Sequence, residues 1–246
     1  MSSAILDARE SAELRARYRE TGFAFQPAFV SRDECEEIVA VVEKHREKMI
    51  NVEIDTLIAK FRFFTVNSEE LEELVPAVQR LERELCAVAS QLEGRPLVPL
   101  DNKRIGLSLN LMPASGKLSW HYDRNLVTAV VYLNEVEGGE FEVYPRYRVR
   151  LPNNHRGPRK LVQRVFDAAM RPRAVRNILG RKLTVPPTVG GIAFMDSTCL
   201  HQVAPVRGTV SRASIIFCYD EQGKVFSKDR TQNYYGYRDQ PVRPYR

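Results

Sequence analysis

Apolar positions along this chain fall into two textures. Over the first hundred residues they recur at helical spacing; from Arg104 onward they come in short runs of the length and alternation of strands. Residues 4–20 read as a charged N-terminal helix, after which Gly22 opens a short strand, Phe23-Ala24-Phe25-Gln26. Ser31, with Glu34 three positions later, is a capping-box start for a helix running to about Lys48. Residues 61–66 read as extended. Asn67 or Ser68 then caps a long amphipathic helix to about Leu92, stopped by Gly94 and Pro96. Its apolar residues Leu71, Leu74, Val78, Leu81, Leu85 and Val88 form one stripe, which needs a broad apolar surface to pack on.

The second texture predicts eight short strands, at 105–112, 118–123, 126–133, 140–144, 182–185, 191–195, 201–206 and 212–219. Turns follow from Pro113-Ala114-Ser115-Gly116 and Glu137-Gly138-Gly139. Between the fourth and fifth strands lies a basic block that predicts two short helices, one over 159–170 and one opened by Pro172 and stopped by Gly180. Helices first and strands afterwards indicate an α+β chain around a jelly-roll, or double-stranded β-helix, core. The length fits a single domain 1–246: helical support over 1–100, the core over 104–220 with a lid-like basic insertion at 146–182, and a tail from 221.

Composition narrows the class. A content of 43% apolar and 28% charged residues is that of a soluble globular protein. No apolar run approaches a membrane span, and the N-terminus lacks a signal-peptide core, so a cytoplasmic location is expected. Cys35, Cys86, Cys199 and Cys218 show no C-x-x-C spacing, which argues for free thiols rather than a zinc site or disulfides. Cys199 stands two residues before His201, within reach of the site. The net charge is +6, but residues 146–182 alone carry +11, leaving −5 for the rest. That block marks either a solvated face or a surface for an anionic partner. It has no interleaved aromatics to stack bases, which argues against nucleic acid.

The candidate chemistry centres on His121-Tyr122-Asp123. Residues i and i+2 of a strand share a face, so this imidazole and carboxylate can grip one cation. His201, 80 residues on, follows the run Gly190-Gly191-Ile192-Ala193-Phe194-Met195-Asp196. Two histidines and one carboxylate with open positions suit non-haem iron(II) that must bind oxygen and a co-substrate. Alternation places Arg212, Ser214, Ile216 and Cys218 on one face. A guanidinium inside a barrel needs an anion, and Ser214 adds a hydroxyl. Arg124 and Asn125, where the chain leaves the metal strand, are candidate substrate contacts. His45 and His155 read as surface residues, and Trp120 as a packing or rim residue.

His121-x-Asp123, Tyr132-Leu133-Asn134 with Gly138-Gly139-Glu140, Gly191 through Phe194 and Asp196 to His201, and Arg212-x-Ser214 together resemble the iron(II)/2-oxoglutarate-dependent oxygenases, in particular their prolyl-hydroxylase-like branch. The resemblance spans about residues 105 to 220, with Gly22-Phe23 and the Ser31 helix similar to that family's usual lead-in. It implies that His121, Asp123 and His201 bind iron(II), and that Arg212 with Ser214 binds the distal carboxylate of 2-oxoglutarate. Many relatives place a tyrosine on the strand before the H-x-D; here that region reads Leu109-Asn110-Leu111-Met112-Pro113, with Asn110 either a substitute donor or a strand-end turn residue. The implied activity is hydroxylation with oxygen, releasing succinate and CO2. Halogenases of the superfamily have a small residue at the carboxylate position, so Asp123 favours hydroxylation over halogenation.

The expected substrate is a small polar or anionic metabolite, such as an amino acid or a nucleotide-like compound of specialised metabolism. The competing readings are desaturation or cyclisation at the same iron, a nucleic-acid demethylase, and a non-catalytic jelly-roll binding protein.

Overall fold

A computed structural model describes residues 8–55, 60–100, 106–123, 125–148 and 157–223. Two helices and a strand come first: α1 (Ala8–Thr21), β1 (Phe23–Gln26) and α2 (Arg32–Lys44), with a 3-10 turn at Arg46–Lys48. Ser31 caps α2 as predicted, its hydroxyl accepting from the Glu34 N–H at 3.3 Å. The Glu34 carboxylate does not turn back to close the capping box. It pairs instead with Arg80 at 2.5 Å, tying α2 to the long helix.

β2 (Ile50–Asp55) and β3 (Lys60–Asn67) form a hairpin. The predicted long helix is two, α3 (Ser68–Leu74) and α4 (Ala77–Glu93). Pro76 lies between them: it has no N–H to donate, and its ring disfavours helical geometry at Val75. The left-handed Gly94 ends α4. The stretch β4 (Val98–Pro99) precedes the eight core strands β5 (Leu107–Met112), β6 (Leu118–His121), β7 (Val127–Tyr132), β8 (Phe141–Tyr144), β9 (Leu183–Val185), β10 (Ile192–Asp196), β11 (Leu200–Val203) and β12 (Arg212–Asp220). Between β8 and β9 stand α5 (Gly157–Ala169) and α6 (Arg173–Leu179), the two predicted helices of the basic block. The hairpin strand β2 is an addition to the predicted set, although Ile50, Val52 and Ile54 alternate with polar residues as a strand should.

All pairings are antiparallel, in the order β1-β10-β7-β12-β5-β3-β6-β11-β8-β9. Apart from β8 and β9, which pair with each other, successive core strands alternate between the two halves of this order, which is the winding of a jelly roll. The halves meet through one residue pair, Phe61 opposite Leu118. Phe23 on β1 stacks on Phe141 of β8 at 6.1 Å, although these strands lie far apart in the order. The sheet therefore curls into two facing walls.

Strand alternation divides the core in two. One face of the β10-β7-β12-β5 wall carries Leu109, Val127, Ala129, Val131, Phe194, Ile215 and Phe217 and packs under α1, α2 and α4, which contribute Leu14, Ile38, Val78, Leu81 and Leu85. Each such side chain adds roughly 1.5–3 kcal/mol by leaving water. The other face looks inward with Met112, Val130, Tyr132, Ala193 and Met195, which share an interior cluster with Phe63 of β3 and Phe141 of β8. The helices thus stiffen the wall from behind and leave the interior free to host chemistry. Among the described residues no helix is long and apolar enough to cross a membrane.

Candidate active site

β6 and β11 run side by side with His121 directly opposite His201, which brings the two imidazoles within 4.2 Å of each other. Asp123, just past the end of β6, places Oδ1 3.9 Å from His121 Nε2 and 3.7 Å from His201 Nε2. One donor atom from each of the three lies within 4.8 Å of the others, a set able to hold one cation. Both rings are held in the tautomer a metal requires. His121 Nδ1 lies 2.7 Å from the Ser119 carbonyl and His201 Nδ1 3.2 Å from that of Cys199. A ring that donates from Nδ1 presents the Nε2 lone pair to the interior. Burial, and then the neighbouring His201, push the His121 pKa down to about 4, so the ring stays neutral at ordinary pH.

The carboxylate is oriented from behind. Thr128 Oγ1 donates to Asp123 Oδ2 at 2.6 Å, and Asn125 Nδ2 donates to Thr128 Oγ1 at 2.9 Å and to the Val127 carbonyl at 2.6 Å. Asn125 is buried, and its amide nitrogen is committed to this relay. Thr128→Val keeps the shape but removes the donor; it is expected to weaken iron(II) binding about 10- to 100-fold, measured by calorimetry under nitrogen.

Deeper in the barrel, cross-strand pairing aligns Tyr132 with Ser214 and Ser214 with Asn110, which in turn faces Thr65. Arg212, two residues before Ser214, shares their inward face. It is 2% exposed, and Nη1 donates to Ser214 Oγ at 3.0 Å. Its Nε and Nη2 are buried with no hydrogen-bond partner, as are Asn110 Oδ1 and the Tyr132 hydroxyl. The guanidinium lies 5.2 Å from the Tyr132 ring centre, and burial lowers its pKa against an opposing effect from the Tyr132 phenol, with no carboxylate acting on it. Burial pushes the Tyr132 phenol up to about 12, so it remains a donor. A buried cation with orphaned N–H groups and a neighbouring phenol is incomplete without an anion. A bidentate carboxylate fits this donor set.

Tyr132 is the residue that sequence reading passed over. It belongs to the quoted Tyr-Leu-Asn stretch, but only the β7–β12 register shows it facing Ser214. The glycines of the next turn serve the same corner. Gly139 has φ +65°, and a Cβ there would stand 2.8 Å from Arg212 Cδ. Gly139→Ala is expected to lower the melting temperature by several degrees and weaken 2-oxoglutarate binding, since both backbone and Arg212 must shift. Thermal unfolding with and without 2-oxoglutarate checks both effects.

Cys199 does not face the donors. Its Sγ donates to the Gly22 carbonyl at 3.3 Å, and only its backbone oxygen serves His201. Arg124, His155 and the tail from 224 lie outside the described residues. Trp120 sits on the outer side of β6 with Tyr144, under Arg176, whose guanidinium is 4.4 Å from its ring centre. The basic insertion is therefore fastened to the outside of this wall. Arg176 is buried there, and Arg148 bonds both oxygens of Asp167, at 3.0 and 2.5 Å. Those two arginines are anchors, not free lid charges.

Comparisons with known proteins agree with this geometry. Residues 107–219 match the sequence model of the 2OG-Fe(II) oxygenase superfamily. The chain carries a 2OG-Fe(II) oxygenase domain. Its cofactors are iron(II) and 2-oxoglutarate, and the donor set of His121, Asp123 and His201 fits that metal. Similar solved structures share the double-stranded β-helix fold. They include the α-ketoglutarate-dependent carbocyclase SnoK of nogalamycin biosynthesis, at 15% identity over 100% of this chain and 96% of that one, with a TM-score of 0.68. The epimerase SnoN of the same biosynthesis is 20% identical over 87% of this chain and 84% of its own, with a TM-score of 0.67. A Pseudomonas putida prolyl-4-hydroxylase is 16% identical over 87% of this chain and 100% of its own, with a TM-score of 0.54. No curated protein sequence matches the chain.

Proposed function

We propose that this oxygenase hydroxylates a small polar metabolite carrying an anionic group, of amino-acid or nucleotide-like character. The observation that carries the reading is the pairing of two half-sites on one inner surface: three metal donors at the mouth, and an unneutralised Arg212 deeper in. In this reading His121, Asp123 and His201 hold iron(II), and Arg212, Ser214 and Tyr132 take the distal carboxylate of 2-oxoglutarate, with Asn110 beside them. Iron(II) held by these residues would supply oxidising chemistry, driven by the conversion of 2-oxoglutarate and oxygen to succinate and CO2 with the second oxygen atom passing to the substrate. The chain's own contribution is orientation. Thr128 fixes the carboxylate, the two backbone carbonyls fix the imidazoles, and the Phe61 and Phe141 rings wall the histidines at 5.8 and 5.5 Å. The apolar interior keeps water from the reacting atoms.

Cyclisation or another rearrangement at the same iron is the second reading, favoured by likeness to a carbocyclase and an epimerase with higher TM-scores than the prolyl hydroxylase. Mass spectrometry of candidate metabolites separates the outcomes. Gain of one oxygen supports hydroxylation, loss of two hydrogens supports cyclisation or desaturation, and an unchanged mass with altered retention supports epimerisation. The four free cysteines suit a reducing, cytoplasmic setting.

A further inference from the structure

Among the described residues seven large apolar side chains are exposed, and six of them belong to the insertion: Leu161, Val162, Val165 and Phe166 on α5, with Ile178 and Leu179 at the end of α6. The α5 set falls at i, i+1, i+4 and i+5, which is one side of a helix. Gln163 and Asp167 occupy the opposite side, and that side is turned to the body. Gln163 is 3% exposed and donates to Asp167 at 2.8 Å, and Asp167 accepts from Arg148 on both oxygens. A surface helix normally buries its apolar stripe and shows its polar one. α5 does the reverse. The insertion is also firmly attached. Tyr144 donates to Asn177 of α6 at 3.3 Å, Tyr147 to the Met170 carbonyl at 3.0 Å, and Arg176 stacks on Trp120. A fastened helix with its apolar side outward marks a contact surface.

The charge around this face selects the partner. Arg164 flanks the α5 stripe, Arg173 opens α6 and Arg181 lies just beyond it. All three are exposed, with no ion pair among the described residues. Asp167, the one acid of residues 146–182, is turned inward. A second copy meeting this face with its own would set arginine against arginine. The chain's own tail, 224–246, carries +4 and would be repelled in the same way. An anionic bilayer would also confront the remainder of the chain outside the insertion, which carries −5. Neither helix has the Trp or Tyr that anchors lipid-facing surfaces at headgroup depth. We propose that the outer face of α5 and α6 docks an acidic protein partner. The partner lays an apolar helical stripe on Leu161, Val165 and Phe166 and sets its carboxylates on the three exposed arginines. It would sit behind the strand that carries His121, because Arg176 and Trp120 tie the insertion there. The proposal goes beyond the oxygenase reading and does not depend on it.

The test uses the full-length protein loaded with iron(II) under nitrogen and a fluorescent synthetic peptide of about 18 residues, long enough to hold a helix, with leucine on one face and glutamate elsewhere. Fluorescence anisotropy is expected to show saturable binding, at least about tenfold weaker when lysine replaces glutamate or when the leucines are scattered. Phe166→Ser should weaken binding at least about tenfold. Arg164→Gln should weaken it less and flatten its dependence on salt. Val210→Ser, at an exposed apolar residue outside the insertion, should change nothing. The same proteins are sedimented alone and with vesicles of equal parts phosphatidylglycerol and phosphatidylcholine. Absence of peptide binding, equal binding of the three peptides, or an unaffected Phe166→Ser protein would overturn the proposal. So would vesicle binding or self-association that Phe166→Ser abolishes, since the face would then belong to a membrane or to a second copy.

Discussion

Arg212→Gln is expected to weaken 2-oxoglutarate binding by a factor between about 30 and several thousand while leaving iron(II) binding nearly unchanged. Truncating one member of a buried, hydrogen-bonded charge pair costs about 2–5 kcal/mol, which converts to that range. Arg212 can carry so large an effect because the chain gives it no competing partner. Only Nη1 is bonded, to Ser214, and Nε and Nη2 are buried and unused. A structural arginine at 2% exposure would have an acid within reach, as Arg148 has Asp167. Calorimetric titration of 2-oxoglutarate into metal-loaded variants measures the effect. Tyr132→Phe should show a smaller loss, about tenfold, since it removes one donor and leaves the charge.

Asp123→Ala is expected to reduce 2-oxoglutarate-dependent oxygen consumption by more than about 100-fold. The argument is one of order: losing a group that merely orients a ligand typically costs 10- to 100-fold in affinity or activity, and losing the ligand itself must cost more. Asp123 Oδ1 lies within 4 Å of both Nε2 atoms, so one cation can meet all three donors. Asp123→Asn would keep the size and lose the charge, so it should fall between wild type and alanine. An oxygen electrode with 2-oxoglutarate alone, without substrate, gives the ranking. If all three proteins consumed oxygen equally, the metal would lie elsewhere.

Much of this site was legible in the sequence because its logic is local. His121 and Asp123 share a strand face, Arg212 and Ser214 share another, and Gly138-Gly139 marks a tight turn. What could not be read is what depends on pairing between distant strands. Tyr132 meets Ser214 and Arg212 only through the β7–β12 register, 80 residues apart in the chain. Asn125 looked like a free polar residue at the end of a strand, but the turn folds its amide back under Thr128. The basic block shows the same limit. Its charge and its two helices were evident, yet charge alone could not show that Arg148 and Arg176 are consumed as anchors on Tyr122 and Trp120. The split of the long helix was within reach, since Pro76 breaks the apolar stripe between Leu74 and Val78.

The central claim is that one inner surface holds iron(II) on His121, Asp123 and His201 and 2-oxoglutarate on Arg212. Its most direct test is sequential calorimetric titration of iron(II) and then 2-oxoglutarate into the full-length protein under nitrogen. The account predicts one iron(II) per chain, followed by one 2-oxoglutarate whose tight binding requires both the metal and Arg212. Binding of 2-oxoglutarate that was equally strong in the Arg212→Gln protein, or equally strong without metal, would contradict it.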